Sequence, residues 1–163
     1  MKSTLAKYSV CIPVVLAVVY SISDWHKHGD AQFWATIVLR NLLVYACGWQ
    51  LVGGAIAHLF FGDQVAEYIG WSKGHPFQLE VGFADLGMGI LGVLCGRFGG
   101  TFWLATILMV TIFGWGCAVG HARQMVNGRN FRPGNAGYFF YWDILLPVAL
   151  IALGIVHLNH GGR

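Results

Sequence analysis

The twenty residues TFWLATILMVTIFGWGCAVG, Thr101 to Gly120, hold no charged side chain. As a helix they extend about 30 Å, the thickness of a bilayer's hydrocarbon core. Read outward from this stretch, the chain offers four more apolar runs, and the spans are predicted at about 8–23, 33–61, 76–96, 101–121 and 137–157. Composition agrees: 56% of the 163 residues are hydrophobic and 10% are charged, against about 25% charged in a soluble domain. Mean hydropathy is +0.61. The connections left over are too short for a soluble catalytic domain or a nucleotide-binding loop. The expected architecture is an all-α integral membrane bundle of about five helices, a single transmembrane domain covering 1–163.

The first run, Tyr8 to Ile22, follows Lys2 and Lys7 and ends among Ser21 and Ser23. That pattern fits a cleaved secretory signal as well as a retained helix; we read it as retained. Arg40 lies early enough in the second run to snorkel toward an interface while Asn41 to Phe61 crosses. Pro76 suits the first position of the third helix, and Arg97 closes it. Turn chemistry from Asn127 to Asn135 separates the last two. Five spans place Lys2, Lys7, Lys73, Arg123, Arg129 and Arg132 on one side and Lys27, Arg97 and Arg163 on the other, with Arg40 near that edge. The bias predicts a cytoplasmic N-terminus and an outside C-terminus, in a bacterial inner membrane. The Arg-rich fourth loop is expected to meet lipid headgroups, and nucleic-acid binding has no basic soluble surface to support it.

Spacing shows which faces pack. In the third helix Gln78, Gly82, Asp85, Gly89, Gly92 and Gly96 follow one stripe, and small residues there let another helix approach closely. Asp85 should therefore face protein, where a carboxyl bonded across helices is the structural reading. Glu80 lies on a different face with Ala84, Gly87 and Leu91. Gly114, Cys117, His121 and Gln124 form a second stripe, and Gln50, Gly54, Ala57 and His58 share a sector of the second helix. An ionisable group at membrane depth costs at least ~2.5 kcal/mol, so its presence calls for function or pairing. The candidate ligand-binding residues are Gln78, Glu80, Asp85, His121 and Asp143.

Pro147 cannot donate to the carbonyl of Asp143, which leaves that residue with a carboxylate and a free backbone oxygen. Imidazoles suit zinc, iron or copper, and oxygen clusters suit hard cations. His58, Glu80, His121 and Asp143 thus form a candidate site for a divalent metal ion. Neither H-E-x-x-H nor a Glu-x-x-His pair is present, and interhelical hydrogen bonds would explain the same residues. Haem between His58 and His121 is disfavoured, because neighbouring carboxylates would repel its propionates. His26, His28, His157 and His160 fall where a solvated histidine needs no special role. Cys11, Cys47, Cys95 and Cys117 lie within predicted helices and form no C-x-x-C pair, which disfavours disulfide chemistry. Trp25, Trp34, Trp71, Trp103 and Trp142 are read as an interfacial belt. Between Gly62 and His75, Val65, Ala66 and Ile69 alternate with Asp63, Gln64 and Glu67, as in a short amphipathic element that could cover the polar cluster.

Ile69-Gly70-Trp71, then Gly74-His75-Pro76-Phe77-Gln78-Leu79-Glu80-Val81-Gly82, together with Gly120-His121, Pro133-Gly134-Asn135-Ala136-Gly137, Asp143 and Pro147, resemble the pattern of an uncharacterised family of small bacterial integral-membrane proteins. The likeness runs from about Trp49 to Leu150, and His75 departs from it where a serine-like residue is more usual. It implies a fold and candidate residues without a reaction. Three functions are open at this point. A polar site near the cytoplasmic face could bind a cation, proton or small amphiphilic ligand for transport or sensing. The same cluster could be the centre of a membrane-embedded, metal-dependent enzyme acting on a lipid-soluble substrate. The glycine stripes could instead join copies of the chain, as a homo-oligomer or an accessory subunit of a membrane complex.

Overall fold

The structure is a computed structural model that describes residues 11–28 and 34–159. Lys2, Lys7, His160 and Arg163, and the expected starts of the first two spans, lie outside the described residues. All regular structure among the described residues is helical. The helices are α1 (Ile12–His28), α2 (Trp34–Ile69), α3 (Phe77–Leu94), α4 (Thr101–Gly128) and α5 (Tyr138–Asn159), with a one-turn helix, Pro133–Ala136, leading into α5. Against the five spans expected, four helices among the described residues are long and apolar enough to cross a membrane: α2, α3, α4 and the unit Pro133–Asn159. The 17 described residues of α1 extend about 25 Å, just under the hydrocarbon thickness. With large apolar side chains such as Phe60, Ile112 and Leu145 facing outward, this is a membrane protein.

Lipid tails are as apolar as leucine, so helices in a membrane associate through close packing. The stripe on α3 supplies it, and its partner is α2 of the same chain. A Cβ on Gly92 would lie 2.6 Å from the Cα of Gly48, one on Gly89 2.8 Å from the nitrogen of Val52, and one on Gly82 2.7 Å from Leu59. These contacts run in opposite order along the two helices, which are therefore antiparallel. The stripe is consumed inside the chain and gives no argument for a second copy. The helix α4 packs on α5 in the same sense: a Cβ on Gly114 would sit 3.2 Å from the carbonyl oxygen of Asp143, and one on Gly154 3.4 Å from Ile107. Gly114 thus lets α4 close over the carbonyl that Pro147 leaves without a helical donor.

Two irregularities in α2 escape a reading by period. Leu42–Trp49 is wound as a π-helix, and this segment packs against α1 on one side and α3 on another. Tyr20 of α1 stacks on its Tyr45 with ring centroids 4.8 Å apart. Farther on, Phe61 leaves helical geometry (φ −133°, ψ 31°) and α2 changes direction. The turns beyond the kink are amphipathic as expected, with Ala66 and Ile69 buried and Asp63, Gln64 and Glu67 exposed. They end in a Schellman arrangement: Gly70 is left-handed (φ 77°), its N–H donates to Glu67, and that of Trp71 donates to Ala66 at 2.8 Å.

The tryptophan belt needs correction at two positions. Trp103 is buried and donates to the carbonyl of Cys95 at 2.9 Å, and Trp71 turns inward to Asn135. An indole N–H turned into the protein needs an acceptor there, and both find one. All four cysteines are free.

Candidate functional site

The site grows from the end of α2. Because Gly70 reverses the chain there, Trp71 is delivered against the one-turn helix, where its Nε1–H donates to Oδ1 of Asn135 at 3.0 Å. The turn that carries Asn135 is fixed by small residues. A Cβ on Gly134 would lie 2.6 Å from the carbonyl oxygen of Tyr68, and one on Gly137 would strike the carbonyl of Pro133. Asn130 and Arg132 clamp the same turn to α2: Asn130 Nδ2 donates to the carbonyl of Ile69 at 2.7 Å, and Arg132 Nη1 to that of Glu67 at 2.9 Å. Arg132, expected among headgroups, thus donates to a carbonyl in the last turn of α2 that otherwise receives only the long N–H contact from Gly70.

Asn135 is fully buried and its amide is fully used. Nδ2 donates to the carbonyls of His121 (3.2 Å) and Asn130 (2.9 Å). Oδ1 meets both the Trp71 indole and Nδ1 of His121, the latter at 2.9 Å. Since an indole can only donate, the oxygen must be where it is drawn, and His121 must carry its hydrogen on Nδ1. Its other nitrogen, Nε2, faces Oδ2 of Asp143 at 3.8 Å. That is beyond a direct hydrogen bond of about 2.7–3.2 Å. In the neutral imidazole this nitrogen is a bare lone pair, so any proton between the two groups sits on Nε2 or on the carboxyl.

Asp85 lies deeper. It is 5% exposed, within electrostatic reach of Asp143 and Cys117, and accepts no hydrogen bond among the described residues. Room for it is made by Gly54, where a Cβ would fall 2.8 Å from Oδ2 of Asp85. One turn farther along the same face of α2, Gln50 donates through Nε2 to the hydroxyl of Tyr138 at 3.2 Å, and its buried Oε1 is left without a partner. Every Lys and Arg among the described residues is exposed. The interior thus holds two carboxyls and an unpartnered amide oxygen against one imidazole that faces them.

The expected site residues separate into three groups. His121, Asp85 and Asp143 come together, with Gln50 beside them. His58 and Gln78 pair with each other, Nδ1 to Oε1 at 2.6 Å, one turn farther out between α2 and α3. Glu80 is exposed, roughly 140° around the helix from Asp85 at 100° per residue. No group of three His, Cys, Asp or Glu among the described residues could hold a metal ion, so the set His58, Glu80, His121 and Asp143 is not assembled. Equal depth in the membrane does not put residues on facing sides. His75 serves locally: its Nδ1 accepts the N–H of Phe77 at 3.2 Å, as a serine oxygen would at a helix start.

Asn135, the hub, was missed as a site residue, although the small-residue turn around it was legible. No curated protein and no solved structure matches the chain. A family model matches residues 5–163, and on that match the chain belongs to the family of unknown function DUF6790.

Proposed function

We propose that this protein binds a proton or small cation within the membrane, at His121, Asp143 and Asp85, for transport or sensing. The observation that carries this reading is the fixed tautomer of His121: Asn135 occupies Nδ1, so Nε2 is the nitrogen left to take up or release a proton, and it faces the Asp143 carboxyl at 3.8 Å. Asp85 stands behind them with no donor and no nearby Lys or Arg. Buried charge is stable only when paired or neutralised, and here a proton or a bound cation would do both. The unpartnered Oε1 of Gln50 adds a further acceptor. The excess of Lys and Arg on this side supports a cytoplasmic opening.

The test is imidazole nitrogen NMR of His121 across a pH series, in the full-length protein and in Asp143→Asn. We expect Nδ1 to stay protonated throughout while Nε2 changes state in steps coupled to the carboxyls, and the coupling to vanish in the variant. An Nε2 signal that is insensitive to pH and to Asp143→Asn would overturn the proposal.

A further inference from the structure

A second polar locus lies outside the site just described, where α2 kinks. The break at Phe61 and the turn at Gly74–Pro76 open a cleft of about 390 Å³, within the range of small-ligand pockets. Its floor is Gln78, 7% exposed. With Oε1 held by His58 at 2.6 Å, the Nε2 of Gln78 has no partner. A buried amide donor left unpaired is costly, and Gln78 lines the cleft. At the rim, Asp63 accepts the N–H of Gly74 through Oδ1, and its other oxygen takes no hydrogen bond among the described residues. Leu79 and Phe60, 56% and 73% exposed, form the other wall and face the bilayer.

We propose that this cleft, lined by His58, Asp63, Gln78 and Leu79, binds the head of a neutral, hydroxylated single-chain amphiphile that enters from the membrane. The class follows from the lining. Asp63 lines the cleft and no Lys or Arg does, so a carboxylate or phosphate head finds no cation there. Gln78 offers a donor, and Asp63 together with the free nitrogen of His58 offers acceptors; a hydroxyl satisfies both kinds. The apolar wall leaves the chain in lipid.

The test is native mass spectrometry of the full-length protein released from detergent micelles, with monodecanoyl glycerol compared with decanoic acid and decyl phosphate. A one-to-one adduct with the glycerol ester, weakened about tenfold in Gln78→Leu by loss of one hydrogen bond, is expected. Leu79→Trp, a change at an exposed position that fills the mouth of the cleft, should weaken it equally and decides the matter should Gln78→Leu not fold. Absence of a specific adduct, preference for either anion, or unchanged binding in Leu79→Trp would each overturn the proposal.

Discussion

The two ends of the bundle each hold an aspartate, half-buried at one and buried at the other, and they treat it differently. At one end Asp24 of α1 is answered twice: Asn41 Nδ2 donates to it at 3.1 Å and Arg40 stands 3.9 Å away. Arg40 itself continues to the carbonyl of Gly96. At the other end Asp85 and Asp143 face one imidazole and no guanidinium or ammonium group. The first arrangement is complete and serves to fasten α1, α2 and α3 together. The second is complete only with something added, which is why function is assigned there.

The contrast presupposes a rigid frame joining the ends, and the α2·α3 seam is that frame. Its two halves differ as well. At Gly92 an added Cβ meets backbone, 2.6 Å from Cα of Gly48, whereas at Gly82 it meets the side chain of Leu59. Backbone cannot step aside and a leucine can. Gly92→Ala should therefore cost above about 3 kcal/mol and Gly82→Ala about 1 kcal/mol, read as folded fraction and melting midpoint in detergent. Equal losses would mean that the seam is looser than its geometry. Next in size is Asn135→Ala at the functional end. It strands the Trp71 N–H, the His121 N–H and two carbonyls at once, at a cost of about 2–3 kcal/mol. Indole hydrogen exchange at Trp71 should quicken in the same variant, and an unchanged rate would break the derivation of the His121 tautomer.

Much of this frame could be read in the sequence because glycine spacing and helix period are local properties. The stripe from Gly82 to Gly92 was visible, as were the inward placement of Asp85 and the separation of Glu80 from that stripe, whereas the exposure of Glu80 was not. The π-helical stretch Leu42–Trp49 was not, since its residues are apolar and fit an ordinary helix equally well. The grouping of site residues was legible only in part. Period tells which face a residue occupies, but only tertiary packing tells which helix that face meets. His58 was therefore placed with His121, though its face of α2 meets Gln78. Asn135 was hidden for a different reason: a turn asparagine reads as local chemistry until the turn is found clamped by Asn130 and Arg132 against α2.

Neutralising an aspartate sharpens the comparison of the two ends by sign. Asp24→Asn leaves Arg40 and Asn41 without the charge they serve and should cost about 1–2 kcal/mol, since Arg40 is partly in solvent. Asp85→Asn keeps the shape and removes a carboxyl that has no protein donor. Stability should stay level or rise by about 1 kcal/mol, while any response of the melting midpoint to pH or added cations that depends on this site is lost. Matched destabilisation by the two substitutions would show that Asp85 has a partner after all and would remove the distinction between a fastened end and an open one.

The smallest effect belongs to the best-looking ion pair in the molecule. Lys73 Nζ lies 2.6 Å from Oε2 of Glu67, far closer than Arg40 to Asp24, yet both side chains are more than half exposed. Water and salt screen such a pair, and ordering two long side chains offsets what attraction is left. The longer contact at Asp24 should matter more because Asp24 is less exposed and is also bonded by Asn41, an amide that is itself 2% exposed. Lys73→Met is therefore expected to leave the melting midpoint unchanged at both low and high salt, where Asp24→Asn lowers it. A clear loss at Lys73 would mean that the loop after α2 is held by charge, whereas the geometry has it held by Asn130, Arg132 and the reversal at Gly70.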